Sequence, residues 1–444
     1  MNRLTRWWLS LNASLWFLPA LMVAVFLGLA YGMVHLDMVI SHGWERHFPL
    51  LFGAGAEAAR TLLATVASSM MTVAALTFTL TLATIAQVSN QYSPRIIWTF
   101  MRDRNNQVVL GFFVGIFAYC LVVLRTIRGN DYGGFIPSLA VGFALLLALL
   151  SIGVLIFFIH HIAASIEATN IVQQVARDTR QALERLFPKE VGEAAAASED
   201  GVPPDESYQP WLPVLARVSG YLRSVDDEQL LRLARAHVCV VRMDRALGGF
   251  VAEGESILSV AFPDGARPLA PELVRRLHRT YTIGNQRTIE QDAGFGLRQI
   301  VDIALKALSP GINDTSTAII CIDHLGSLLA FLGPRSLGAR QRADSAANRV
   351  LLITKRPDYE DFVTTAFDQI RSSGAANVAV LLRLLSALST VIGRTPWPSR
   401  RSILRRQVEL IREAAERQLD TEYERQQVRR RLVDLAPLLT AESP

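Results

Sequence analysis

The chain changes texture about one third of the way along. Four stretches, residues 15–36, 61–88, 108–124 and 135–160, are predominantly apolar and almost free of charge. Each is long enough to cross the hydrocarbon core of a bilayer, which takes about 20 residues of helix. Beyond His160 the apolar residues become periodic. Ile162, Ile166, Val172, Val175, Leu183 and Leu186 keep helical spacing, so the fourth helix is expected to run on as a stalk over 161–187. Pro188, Pro203, Pro204 and Pro210 bracket a stretch rich in Ala, Gly, Glu and Asp, which reads as a linker over 188–210.

Residues 211–265 carry β-branched runs at 237–243 and 256–262, flanking the Gly-containing segment 246–255. From 266 onward the pattern is helical again. It closes on a charged segment with one apolar stripe: Leu404, Val408, Ile411, Ala415, Leu419 and Tyr423. The expected architecture is therefore an α-helical membrane domain of four transmembrane helices over 1–160. An α+β cytoplasmic region follows, with a small β-barrel-like module at 211–265 and a helical part at 266–444.

Composition sharpens this division. Half of the 444 residues are hydrophobic and 19% are charged. The first 160 residues hold 9 Lys and Arg and 5 Asp and Glu, about 9% of that stretch, whereas the remaining 284 hold 36 and 35, about 25%. That excludes a simple cytosolic enzyme, a disordered chain and a disulfide-stapled module. A net charge of +5 is too mild to argue for nucleic acid, and the arginines of the last segment are interleaved with Glu and Asp. Cys120, Cys239 and Cys321 form no CxxC pair and read as small buried hydrophobes in a reducing compartment.

Basic residues near the spans set the expected orientation. Arg3 and Arg6 precede the first span, and Arg95, Arg102 and Arg104 follow the second. The first–second loop mixes Arg46 and Arg60 with Asp37, Glu45 and Glu57, while Arg125 and Arg128 on the third–fourth loop run against the rule. The expectation is a multi-pass protein of the bacterial inner membrane with both termini and the soluble region in the cytoplasm. The first apolar run is too long for a signal peptide and no small-residue cleavage site follows it, so it is kept as a helix.

The second span is the unusual one. It carries nine Ser and Thr between Thr61 and Thr84 and no formal charge. At 100° per residue, Thr61, Thr65, Ser68, Thr72 and Thr79 fall within about 40° of one face, with Thr77, Thr81 and Thr84 roughly opposite. Hydroxyls facing lipid gain nothing, so the stripe should face protein or water. Two readings stay open: a pore wall, or helix packing with the hydroxyls bonded back to the preceding turn. Gln87, Asn90 and Gln91, with Arg95, Arg102 and Arg104, are candidates for a cytoplasmic mouth, or else a polar helix cap. Gly28 and Gly32, and Gly111 and Gly115, supply two close-packing spacings. No Asp, Glu or Lys sits in the middle of a span, which lowers an ion-coupled transporter and leaves passive conduction or a non-transporting role.

Two sequence blocks carry a resemblance. SNQYSPR at Ser89–Arg95 leads into WTFMRDRNNQVVLGFFVGIFAY, and QDAGFGLRQIVDIALKALSPGINDTSTA spans Gln291–Ala318. Together they resemble a family of bacterial predicted inner-membrane proteins classed as a domain of unknown function. The resemblance implies a multi-span membrane half and a cytoplasmic half. Segment 249–257 also looks like the hairpin of biotinyl and lipoyl carriers, but no lysine stands between Lys189 and Lys306 to hold such a cofactor.

The 304–318 block is dense in Asp, Asn and Ser, yet its spacing suits a structural corner. Ser309, Pro310 and Gly311 end one helix, with Gly311 free to turn left-handed, and Asn313 or Asp314 caps the next. His324 beside Asp323 lacks a nucleophile at triad spacing, and no HExxH, Walker or GxGxxG phrase occurs. The expectation is no enzyme and no cofactor or metal. The partners expected are the bilayer, further copies of the chain, and ions or small solutes passing through a homo-oligomeric channel. The alternative is a membrane-anchored scaffold or signalling protein without conduction.

Overall fold

The computed structural model describes residues 16–40, 55–91, 103–127, 135–187, 210–263, 265, 267–289, 291–337, 341–344 and 349–440. It divides into two compact units, Met1–Asn170 and Ile171–Pro444.

In the first unit the apolar stretches form helices α1 (Phe17–Ile40), α2 (Ala56–Gln91), α3 (Arg104–Thr126) and α4 (Ser138–Ser165). The 36 residues of α2 span about 54 Å at a rise of 1.5 Å per residue. That exceeds a hydrocarbon core of about 30 Å. Half of the most apolar window of α3 is buried, against 22% for α1, α2 and α4, so α3 is the central helix. Phe113, Ile116, Tyr119 and Val123 of α3 pack with Phe26 and Val34 of α1, Leu63 and Met70 of α2, and Ala144 and Phe158 of α4. The tight α1–α3 approach depends on glycine: a Cβ on Gly115 would lie 2.5 Å from the Phe26 ring, and one on Gly111 2.8 Å from Met22 Sδ. Gly28 and Gly32, by contrast, have nothing within 4 Å. One glycine pair is thus spent inside the chain and the other is left on an outer face.

Five described helices, one more than the sequence suggests, are long and apolar enough to cross a membrane. The fifth is α9 (Thr315–Leu332), and 56% of its apolar window is already buried within the second unit. Its hydrophobicity is taken up by neighbouring helices, as in the core of a globular domain.

The expected stalk does not continue as one helix. A turn at Ile166 and Glu167 separates α4 from α5 (Ala168–Leu186), and the Asn170 amide donates to Ala164 O at 2.8 Å across the break. The apolar face of α5, with Val172, Val175, Thr179 and Leu183, is buried. Gly296 of α8 (Ala293–Ala307) lets it approach closely, since a Cβ there would lie 2.0 Å from Thr179 Oγ1.

The β-rich part is organised differently from the expected barrel-like module. β1 (Leu212–Leu215), β3 (Val240–Met243) and β5 (Ser256–Ala261) join β7 (Gln341–Asp344) and β8 (Arg349–Ile353) in a sheet ordered β1-β5-β3-β8-β7. β2 (Gly220–Val225), β4 (Phe250–Val251) and β6 (Tyr281–Gly284) form a second sheet ordered β4-β2-β6. The two β-branched runs do pair with each other, Val241 opposite Val260. However, β3 also pairs in parallel with β8, more than a hundred residues later. A module closed within 211–265 is replaced by two sheets that draw strands from the stretch expected to be helical.

Helices complete the unit: α6 (Asp227–His237), α7 (Pro271–Leu277), α10 (Tyr359–Ser373), α11 (Val378–Arg394), α12 (Pro398–Gln418) and α13 (Glu422–Thr440). The last two replace the single charged helix expected from the apolar stripe. Thr421 starts α13 through a reciprocal cap, Glu424 N to Thr421 Oγ1 and Thr421 N to Glu424 Oε2, both 3.3 Å. Leu404 through Leu419 stay buried, but Tyr423, beyond the break, is 72% exposed. Arg429 ties the pair together, bonding Glu416 at 2.8 Å through two nitrogens and Glu422 through the third.

Candidate functional site

The packed face of α2 consists of Ala59, Leu63, Ala67, Met70, Ala74, Thr77, Thr84 and Val88. At 100° per residue these point about 180° away from the hydroxyl stripe. Thr61, Thr65, Ser68, Thr72 and Thr79 are accordingly all exposed, turned away from the chain's own bundle. Exposed apolar residues flank them: Met71, Phe78 and Leu82 on one side, Leu76 and Leu80 on the other. The threonine hydroxyls donate to the carbonyl four residues back, Thr61 to Glu57 O at 2.9 Å, Thr65 to Thr61 O at 2.7 Å, Thr72 to Ser68 O at 3.0 Å and Thr79 to Ala75 O at 2.9 Å. Each O–H is thereby satisfied while the oxygen keeps lone pairs for an outer partner. The face is a polar line bordered by two greasy margins.

Of the remaining mouth candidates, Gln87 is exposed near the end of α2 and Arg104 is exposed at the start of α3. Asn90 and Gln91 lie in the last turn of α2, and Arg95 and Arg102 fall outside the described residues.

Three interactions at the helix ends were not expected from the sequence. Asp37 reads as a loop residue, but α1 runs past it and its side chain is only 5% exposed. Its two oxygens accept from Leu139 N at 3.0 Å and Ala140 N at 2.9 Å. The residue flanking α4 is Pro137, which has no side chain able to cap, so a carboxylate from α1 satisfies the free amides instead. Arg60, in the first turns of α2, donates to Ile127 O at the C-terminus of α3 at 3.0 Å. Each charge meets the helix end whose dipole favours it. At the opposite end Asp103 caps α3 through Asn105 N at 2.9 Å and bonds His161 of α4 at 2.6 Å. The sequence does not single out Asp37, since Glu45, Glu57 and Asp131 also lie in the loops after the first and third apolar stretches.

The 304–318 block lies in the second unit, far in sequence from α2, and forms a corner between α8 and α9. Asp314 is the cap: its side chain accepts from Thr317 N at 3.0 Å and Thr317 Oγ1 at 2.5 Å. Ser309 O accepts from Ile312 N and Asn313 N, and Asp314 N closes back onto Ala307 O at 2.8 Å. The left-handed residue is Asn313, at φ 50°, and not Gly311; Ile312 N and Asn313 N still close on Ser309 O, so the chain reverses two residues after Gly311. The Thr317 donors hold the Asp314 carboxyl below the usual carboxylate range. Asp314→Ala should therefore lower stability by about 1 kcal/mol, the usual loss of an N-cap. The contribution is complete above the unfolded value of about 3.9 and disappears as pH falls through the lower folded value. Thermal melts of both proteins at neutral pH and near pH 3 check it; an equal difference at both would contradict the assignment. Among the described residues no three His, Cys, Asp or Glu side chains are grouped as metal ligands would be.

Residues 12–390 match a protein family described as "Predicted membrane protein (DUF2254)". An uncharacterized protein of Mycobacterium tuberculosis (strain H37Rv) is 35% identical over 421 residues, covering 94% of this chain and 79% of the relative. An uncharacterized protein of Mycobacterium bovis matches with the same identity and coverage. No solved structure matches.

Proposed function

The chain belongs to this family of predicted membrane proteins, and from that premise we propose a homo-oligomeric inner-membrane channel that passes ions or small solutes down their gradient. In this reading α1 to α4 span the bilayer, and the second unit forms a cytoplasmic vestibule or gate. Both termini lie in the cytoplasm.

The observation that carries the reading is the direction of the α2 hydroxyl stripe. Five polar side chains on a membrane helix are left over after the chain has packed its own bundle. In a monomer they would face lipid, where their oxygens find no partner. Around an axis shared by several copies they would face a water-filled path, and the apolar margins at Met71, Phe78, Leu76 and Leu80 would meet neighbouring subunits or lipid. Neutral oxygens replace part of an ion's hydration without trapping it by full charge. The exposed Gly28 and Gly32 of α1 offer a second close-packing surface between copies. Arg95, Arg102 and Arg104 would ring the cytoplasmic mouth.

The scaffold reading draws support from one feature, the back-bonding of the threonine hydroxyls, which also suits plain helix packing. The two are separated by purifying the protein, determining its subunit number in lipid nanodiscs and recording from planar bilayers. A channel gives an oligomer with current under voltage, tension or osmotic shock. A monomer, or an oligomer silent under all three, favours the scaffold.

A further inference from the structure

The second unit contains a cleft that neither the corner nor the membrane helices use. Helices α9 and α11 approach closely where Gly326 meets Ala387: a Cβ on Gly326 would lie 2.9 Å from the Ala387 Cβ. These two residues, with Ala330, form a small, flat floor. Above it lies a cavity of about 450 Å³ walled by α5, α9 and α11. That size falls within the range of small-molecule sites, roughly 300–1,000 Å³.

The walls are basic. Arg180, Arg383 and Arg394 line the cavity against a single carboxylate in the lining, Asp323. Asp323 pairs with Arg383 through both oxygens, engaging Nε and Nη2. A guanidinium has five N–H donors, so three remain, and the pair fixes the plane in which they are presented. Arg180 is shared with Glu184 at 3.3 Å on its own helix, an exposed contact of little strength. Arg394 is exposed and makes no hydrogen bond or ion pair among the described residues. Ser327 and Thr390 add hydroxyls to the same wall. Phe331 closes one end, and its ring is held by the guanidiniums of Arg180, 4.5 Å from the centroid, and Arg335, 3.8 Å away.

Partly unengaged arginines at the ends of an apolar floor select a ligand with two parts. Arginine forks match the oxygens of a phosphate, two at a time. A bare phosphate would leave most of the cavity empty. We propose that this cleft binds a small organic phosphate, with its phosphate on Arg394 and its organic part lying along Gly326 and Ala330 beside Phe331. The site stands on the second unit alone and does not depend on whether the membrane helices conduct.

The test is calorimetric titration of the full-length protein in detergent, in phosphate-free buffer, with AMP, inorganic phosphate and adenosine as probes. AMP should bind saturably, inorganic phosphate should compete more weakly, and adenosine should not bind at millimolar concentration. Arg394→Gln removes a charge that pairs with no other side chain among the described residues and should weaken AMP at least tenfold. Ser327→Trp should fill the cleft and abolish binding. Melting temperatures near wild type for both variants would show that the fold is intact. The proposal is overturned if neither AMP nor inorganic phosphate binds at millimolar concentration, if adenosine binds as well as AMP, or if both folded variants keep wild-type affinity.

Discussion

Asp37→Ala should be the most damaging single substitution in the membrane unit. The carboxylate accepts from two amides at the start of α4, Leu139 N and Ala140 N, and it does so where only 5% of its surface is exposed. Alanine leaves both N–H groups without a partner. A buried unsatisfied donor costs about 1–3 kcal/mol, so about 2–6 kcal/mol is expected from the pair. The loss of a negative charge at a helix N-terminus adds to it. Asp37→Asn keeps one acceptor oxygen and should fall between alanine and wild type. Thermal unfolding of the detergent-solubilised protein measures the series. A wild-type melting temperature for Asp37→Ala would show that water or lipid headgroups cap α4 equally well, and that the α1–α4 contact is incidental.

Ser68→Leu and Thr72→Leu should abolish most of the current while leaving the oligomer assembled. Both side chains are exposed on the outer face of α2 and touch none of the chain's own core. Neither substitution opens a cavity nor overpacks the bundle, so surface-like changes within about 0.5 kcal/mol are expected in stability. In the proposed pore, however, each substitution would be repeated in every subunit. A ring of leucines at one level makes a hydrophobic constriction, which gates by dewetting. Phe78→Leu, on the apolar margin of the same helix, is the matched control and should conduct. Full current in both leucine variants would move the path away from α2.

How much of this was legible beforehand varied with the range of the interaction. The membrane helices were visible because their apolar runs exceed what any soluble element needs, and angular spacing alone put the α2 hydroxyls on one face, whereas the direction of that face depended on how the bundle packs. The cap at Asp314 could be narrowed to two residues, since only the backbone conformation decides between Asn313 and Asp314. The Thr421–Glu424 reciprocal cap was present in the sequence as a T-x-x-E phrase. It was masked by an apolar stripe that runs across the break to Tyr423. Longer-range pairings were hidden for a different reason. That β3 pairs with β8 depends on which surface is left to bury after the helices have packed. Likewise, Asp37 caps α4 only because α1 ends beside it, a relation between residues 102 apart. Arg383 and Arg394 look like ordinary helix-surface charges until α5, α9 and α11 are brought around one cavity.

Cysteine accessibility shows directly whether the hydroxyl face of α2 meets water inside the membrane. Cys120, Cys239 and Cys321 are buried and offer a low background. Thr72→Cys and Phe78→Cys, each introduced into the full-length protein in liposomes, would be exposed to a charged, membrane-impermeant thiol reagent supplied on both sides. A water-filled path gives fast modification at Thr72→Cys, with current blocked as the reagent adds, and little or none at Phe78→Cys. Equal protection of both positions would place the stripe in lipid or in a dry helix interface, and the channel reading would fail.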